Sequence, residues 1–161
     1  MVRNLIFIFL ITLAGCEMNS KQIIKSEKFN HETIKFNSVT KNLLFENSES
    51  SFEINNMKKI IKYWFDNKIK TDGFNGSLEV KIKKIEINKV KQTEYFKVNI
   101  YLTIEFIQKH KILNKTKSYI VTASEYGEIV GNFAINDQEN LTLNIMHSSL
   151  NSINKKILDL I

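Results

Sequence analysis

Proline is absent from this chain of 161 residues, cysteine and arginine each occur once, and glycine occurs five times. Each scarcity closes off something. With one cysteine, Cys16, no intramolecular disulfide can form, so an exported domain must hold itself by a hydrophobic core. Arg3 is the sole arginine, and there is no Lys/Arg block, RNP-like run or zinc-finger spacing. Base edges are commonly read by arginine forks, so nucleic acid is not an expected partner. Gly73, Gly76, Gly127 and Gly131 match neither G-x-G-x-x-G nor G-x-x-x-x-G-K-[ST], so no phosphate cradle is legible. His31, His110 and His147 lack metal-ligand spacing. Ser118, Ser124, Ser148 and Ser149 lack a G-x-S-x-G elbow, and no close carboxylate pair stands out for general acid/base work. The expectation is a protein that is not an enzyme and that uses no metal and no cofactor.

What is present begins with a globular balance. Hydrophobic residues make up 43% and charged residues 25%, which suits one packed domain rather than a disordered chain. The net charge of +6 comes from Lys, which with Asn and Ile dominates in the manner of an AT-rich coding sequence. A basic surface of this kind suits an anionic membrane, although Lys is also the default surface residue of such a composition.

The first twenty residues carry the sharpest signal. Arg3 supplies a positive start, Leu5 to Leu13 is apolar apart from Thr12, and the small residues Ala14 and Gly15 follow. That is the layout of a secretory signal peptide. Polar residues resume at Glu17, so the run falls short of the roughly 20 apolar residues that a spanning helix needs. Being apolar on every side, it also fits a buried helix poorly. Leu13-Ala14-Gly15-Cys16 resembles the lipobox of bacterial lipoproteins at every position. The resemblance implies that the Cys16 sulfur receives a diacylglycerol and that residues 1–15 are cut away after Gly15. The new amino group is then often acylated. Small residues suit the close approach of a peptidase, and the thiol is the nucleophile that takes the lipid. By the same resemblance, Glu17 in place of Asp after the cysteine implies export to the outer membrane, facing the periplasm. Residues 16–31 then form a lipidated, polar tether, and 32–161 a single domain.

Along that domain, Thr33 to Thr40 alternates as a first strand. Ser50 to Lys70 predicts a helix, with Ser50 and Glu53 as a capping box. Ile54, Met57, Ile60, Ile61, Trp64 and Phe65 share one of its faces. Trp64 is expected to pack on the sheet. Thr71 to Gly76 is a turn. Ser77 to Asn88 is a strand whose phase slips between Ile82 and Ile85, a bulge signature. Glu94 to Gln108 is the longest alternation, with Phe96, Val98, Ile100, Leu102, Ile104 and Phe106 on one face. His110 to Asn114 makes a hairpin connection into a strand over Lys115 to Ser124. Glu125 to Asn136 cannot be typed. Asp137 to Ile161 predicts a second helix capped by Asn136 or Asp137, with a stripe at Leu143, Met146, Leu150, Ile153, Ile157 and Leu160. Lys81, Lys83, Lys84, Lys89, Lys91 and Lys97 form a basic stretch, expected as a solvated sheet face, with anionic head groups as the weaker alternative.

The order β-α-β-β-β-α predicts an α+β fold, a two-layer sandwich. A mostly antiparallel sheet of four or five strands would carry two amphipathic helices. "WFDNKIKTDGFNGSLEVKIKKIEI", from Trp64 to Ile87, resembles a segment of small, mostly uncharacterised alphaproteobacterial lipoproteins. Trp64, Lys68, Ile69, Gly73, Gly76, Val80 and Ile82 occupy the matching places. The resemblance implies fold and location, and no activity. The architecture is also similar to accessory lipoproteins of lipid transport and lipopolysaccharide assembly.

The expected function is a non-enzymatic, membrane-anchored periplasmic lipoprotein that binds or scaffolds an envelope partner through a sheet edge or helix face. The alternative is an accessory of lipid or lipopolysaccharide transport, with an apolar groove between helices and sheet. A hydrolase acting on envelope material comes third. In a bacterial host, Cys16→Ala is expected to leave an unprocessed precursor and abolish labelling by radioactive fatty acid; unchanged labelling would refute the lipobox.

Overall fold

The computed structural model describes residues 32–46 and 50–161. The elements in chain order are β1 (Ile34–Phe36), β2 (Thr40–Phe45), α1 (Phe52–Lys68), β3 (Ile69–Thr71), β4 (Ser77–Gln92), β5 (Tyr95–His110), β6 (Lys115–Val130) and α2 (Ile135–Leu158). The class is α+β, as expected. One sheet has the order β2-β4-β5-β6, antiparallel except for the parallel pair β2-β4, and β1 pairs with β3 in a small parallel sheet. Three strands of 16 residues, each roughly 50 Å long at the usual rise, form the platform.

Two strands depart from the sequence reading. The stretch from Thr33 to Thr40 does not stay in one strand. It breaks at Ser38, whose N–H bonds to the Phe36 carbonyl (2.9 Å), and resumes as β2. The helix expected to reach Lys70 stops at Lys68. Ile69 is already extended, fully buried, and opposite Ile34 in β3. A β-branched residue with a strand waiting for it leaves the helix there. Lys41 on β2 secures the helix end. Its Nζ donates to the carbonyls of Phe65 (2.8 Å) and Ile69 (2.6 Å), which complements the negative end of the helix dipole.

The bulge lies where the phase slip places it. Ile82 opposes Ile104 and Lys84 opposes Thr103, so Lys83 is left over. The extra residue returns Ile85 to the core side, where it is buried. The stretch from Glu125 onward, untyped in sequence, continues β6 as far as Val130. Gly127 allows this. A β-carbon there would sit 2.8 Å from side-chain atoms of Leu141 and Ile145, so its absence lets α2 lie close on the strand.

Both helix starts differ by a residue or more from expectation. Ser51, not Ser50, caps α1, its hydroxyl accepting from the Ile54 N–H (3.2 Å). Ser50 instead accepts from the Asn55 side chain, and Glu53 binds Lys89 on β4 (2.9 Å) rather than closing the box. α2 begins at Ile135, so Asp137 lies in its first turn and its carboxylate accepts from the Ala134 N–H (2.7 Å). That turn forms without a capping hydroxyl because the carboxylate satisfies an orphan donor from inside the helix. Leu160 falls beyond α2 and is exposed, so the apolar stripe ends at Ile157.

The core lies between the helices and the Phe96-to-Phe106 face of β5, all six of whose inward residues are buried. Trp64 packs on the sheet, as its spacing implies, with its ring edge-on to Phe106 at 6.3 Å; Phe36 stacks on the same Phe106 at 5.8 Å. Trp64 Nε1 donates to Asn154 Oδ1 on α2 (3.1 Å), and Asn154 Nδ2 donates to the Glu32 carbonyl (3.1 Å). Asn154→Ala leaves a buried indole N–H without its acceptor, so a loss of about 1–3 kcal/mol in urea unfolding is expected. With Trp64→Phe added, the total loss should be smaller than the sum of the two single losses, since the phenylalanine has no donor to orphan.

Candidate functional site

Cys16 and the cleavage residues Leu13, Ala14 and Gly15 lie outside the described residues, as does His31. No helix among the described residues is long and apolar enough to cross a membrane. Nor do three or more of His, Cys, Asp and Glu gather there in a way that could hold a metal ion. His147 is buried within α2, and His110 meets Asn75 through Nδ1 (3.1 Å). Ser118 donates to Glu105 (2.9 Å) and Ser149 to the Ile145 carbonyl (2.9 Å).

Two kinds of concavity can be compared. Where the helix N-terminal halves meet β4, Phe52, Asn56, Lys89, Leu143 and Met146 line a space of about 40 Å³. That is far below the roughly 300 Å³ at which ligand pockets begin. The larger hollows are more open: one of about 320 Å³ lies between α1 and β2, and one of about 330 Å³ between the end of α2 and β6. One of about 400 Å³ sits on the sheet face turned away from the helices, lined by Lys84, Glu86, Asn88, Asn99, Tyr101 and Ser124.

That open face has a charged half and an aromatic half. In the charged half, Lys83 reaches Glu46 (2.7 Å) and Glu105 (3.8 Å), while Lys81 reaches Glu79 (3.3 Å) and Glu46 (3.7 Å). The hydrogen bond from Lys83 holds the Glu46 carboxyl below the usual glutamate value, and the same bond raises Lys83. Farther along, Lys84 pairs with Glu86 (2.7 Å), whose pKa that bond lowers. The basic stretch is therefore largely an ion-paired ladder. On this face Lys81, Lys83 and Lys84 all meet carboxylates, which leaves it little net charge for lipid head groups, while Lys89 pairs with Glu53 on the helix side.

In the aromatic half, Lys84 Nζ lies 5.1 Å from the Tyr101 ring centre and Lys97 Nζ 5.1 Å from that of Tyr126. Tyr126 is 67% exposed, and Ile120 and Val130 on the same strand are 63% and 73% exposed. Among the described residues β6 has a hydrogen-bonded neighbour on one side only, so there it is an edge strand of 16 residues. Lys156 on α2 occupies its Thr122 carbonyl (2.7 Å), a partial block of the kind that keeps edges from pairing indiscriminately. Tyr126 and Val130 lie beyond the strand that the sequence predicts, which ends at Ser124. The signal was available, since Ile120, Tyr126 and Val130 fall on alternate positions opposite Val121, Ala123 and Ile129.

No protein-family model and no curated protein matches the chain. Among solved structures, it is similar to a minor lipoprotein from Acinetobacter baumannii. That match has 13% identity and a TM-score of 0.39, over 75% of this chain and 89% of the other. It is also similar to a putative neuraminyllactose-binding hemagglutinin homolog from Helicobacter pylori. Here identity is 9% and the TM-score 0.33, over 80% and 90% of the two chains.

The Glu46 carboxylate is favoured in the folded chain, so its contribution is fully present above the ordinary value of 4.5 and is lost as pH falls below it. The denaturation midpoint of Glu46→Gln is therefore expected to lie below that of the wild type at neutral pH. The two should converge as the solution is acidified through that value, and the gap should shrink in high salt.

Proposed function

We propose that this chain is a lipid-anchored lipoprotein of the bacterial cell envelope, without catalytic activity, that docks a protein partner on its open sheet face. The anchor reading rests on Leu13-Ala14-Gly15-Cys16, with the lipid on Cys16 and residues 1–15 removed. Glu17 supports the outer membrane, facing the periplasm, as the address. Two or three acyl chains on one residue hold a protein far more firmly than one chain does.

The observation that carries the docking reading is the contrast between the two sides of the sheet. On one side the helices cover the sheet, leaving about 40 Å³ where both meet β4 and open hollows of about 320 and 330 Å³ at the outer strands β2 and β6. The other presents Tyr101, Tyr126, Ile120 and Val130 beside a free strand edge. Aromatics flanked by charged pairs are the composition of protein interfaces, and an edge strand offers main-chain donors and acceptors to an added strand. The transport accessory reading needs an apolar groove between helices and sheet; the space enclosed there is small, and the hollows at β2 and β6 are open and lined in part by Lys41, Lys62, Asp66, Lys156 and Asp159, which speaks against it.

A photo-crosslinker at Tyr126 or Tyr101 is expected to give one discrete protein adduct in intact envelopes. The adduct should vanish when Ile120 and Val130 are replaced by Asp, and a crosslinker at Lys62 on α1 should not yield it. Extraction and mass spectrometry of the purified protein test the alternative. A lipid bound one to one, beyond the covalent anchor, would replace docking with carriage.

A further inference from the structure

The β5-β6 hairpin ends in a tip that neither the core nor the open face uses. Ile112 is 82% exposed and Leu113 58% exposed at the turn, which closes through Asn114 at φ 46° and an Asn114 N–H bond to the Lys111 carbonyl (3.3 Å). Asn tolerates this left-handed conformation better than other residues with side chains, so the turn is built to place two aliphatic residues at its apex. Around them stand Lys109, Lys111, Lys115 and Lys117, all exposed, with His110 between the first two. From Lys109 to Lys117 there is no carboxylate, and among the described residues none of these four lysines joins an ion pair closer than 4 Å.

The loop before β4 reaches the same end of the sheet. Asn75 bonds His110 (3.1 Å), and Gly76, at φ 87°, lies so close that a β-carbon would meet the Lys109 carbonyl oxygen. Between them and Asp72, Phe74 is 100% exposed. Three large apolar side chains thus project from one end of the molecule inside a ring of uncompensated lysines. Along β4, by contrast, Lys81, Lys83, Lys84 and Lys89 are paired with Glu46, Glu53, Glu79, Glu86 and Glu105.

We propose that this end, formed by Ile112, Leu113 and Phe74 with Lys109, Lys111, Lys115 and Lys117, rests on the surface of a bilayer containing anionic phospholipid. The chemistry matches an interface on both counts. Aliphatic and aromatic tips enter the boundary between head groups and acyl chains, and lysines around them bind lipid phosphates. The proposal rests on the lipid-anchor reading only for proximity. Residues 16–31 between Cys16 and the domain can span at most about 55 Å, enough to let either end of the sheet face the membrane. The tip is what selects one end. Contact there would leave the open face standing off the bilayer, accessible from the periplasm.

The test uses the full chain and vesicles whose acyl chains carry bromine, a short-range quencher of tryptophan. Leu113→Trp and, separately, Phe74→Trp add a reporter to the buried Trp64, whose unchanged emission in the parent chain is the baseline. Thr93→Trp places a reporter in the β4-β5 turn at the opposite end of the sheet. In vesicles of phosphatidylcholine mixed with phosphatidylglycerol, the reporters at 113 and 74 are expected to shift to shorter wavelength and be quenched, and that at 93 to stay as in water. Changing the four lysines to Gln should reduce the quenching to its level in phosphatidylcholine alone. Absence of quenching at both 113 and 74, equal quenching at 93, or quenching indifferent to anionic lipid would each overturn the proposal. Flotation of the wild-type chain with neutral vesicles reports the Cys16 anchor separately. Flotation without quenching at 113 and 74 would sink the tip and leave the anchor standing.

Discussion

Asn154 is where the two helices and the beginning of the described chain are tied into one core. Its amide oxygen takes the Trp64 indole from α1, and its amide nitrogen donates to the Glu32 carbonyl, while α2 carries it. A buried amide is costly unless its groups are used, and here both are. The polar link therefore fixes register rather than merely tolerating burial. It sets the rotation of α2 about its axis, which aims Met146, Leu150, Ile153 and Ile157 at the sheet, and it holds the Trp64 ring against Phe106. Phe36 stacks on the same ring, so β1 is positioned by the contact that positions α1.

With one side of the sheet committed in this way, the other is left to charge and exposed aromatics. Antiparallel strands of this length tolerate such a division, since successive side chains alternate between the faces. Ion pairs on an exposed face contribute little to stability individually. Their effect here is on charge distribution. Glu46, Glu79, Glu86 and Glu105 pair with Lys81, Lys83 and Lys84 of β4, whereas among the described residues the lysines of the hairpin end have no carboxylate within ion-pair distance.

The parts of this fold that were legible in the sequence are those with an unbroken period. The β5 alternation, the bulge after Ile82 and the helical stripe around Trp64 survive because each repeats over several turns or pleats. β2 and β3 were not legible for a physical reason. Three to six residues cannot display a period, and Ile69 continues the apolar spacing of α1 while its backbone belongs to a strand. Only pairing with Ile34, distant in sequence, decides between the two. The serine cap was misplaced by one residue because Ser50 and Ser51 are chemically equivalent, and the backbone direction that separates them is not written locally. The candidate face was half legible. Its β5 members follow from the alternation, but Gly127 interrupts the apolar pattern of β6, and the reason for a glycine there is the side chains of Leu141 and Ile145 on another element.

Glycine scarcity gives the same lesson at the hairpin end. Gly76 stands against the Lys109 carbonyl, a contact that seals the loop carrying Phe74 to the base of the hairpin. Sealing it there leaves Phe74 with nowhere to pack, although a phenylalanine ordinarily finds burial in a domain of this size. The turn at Asn114 does the same to Ile112 and Leu113. Backbone geometry at two separate turns thus forces apolar side chains outward at one end, and ion pairs offset Lys81, Lys83, Lys84 and Lys89 along β4. The two effects arise from different residues and converge on one surface. That convergence separates this end from the scattered apolar exposure that any soluble surface carries.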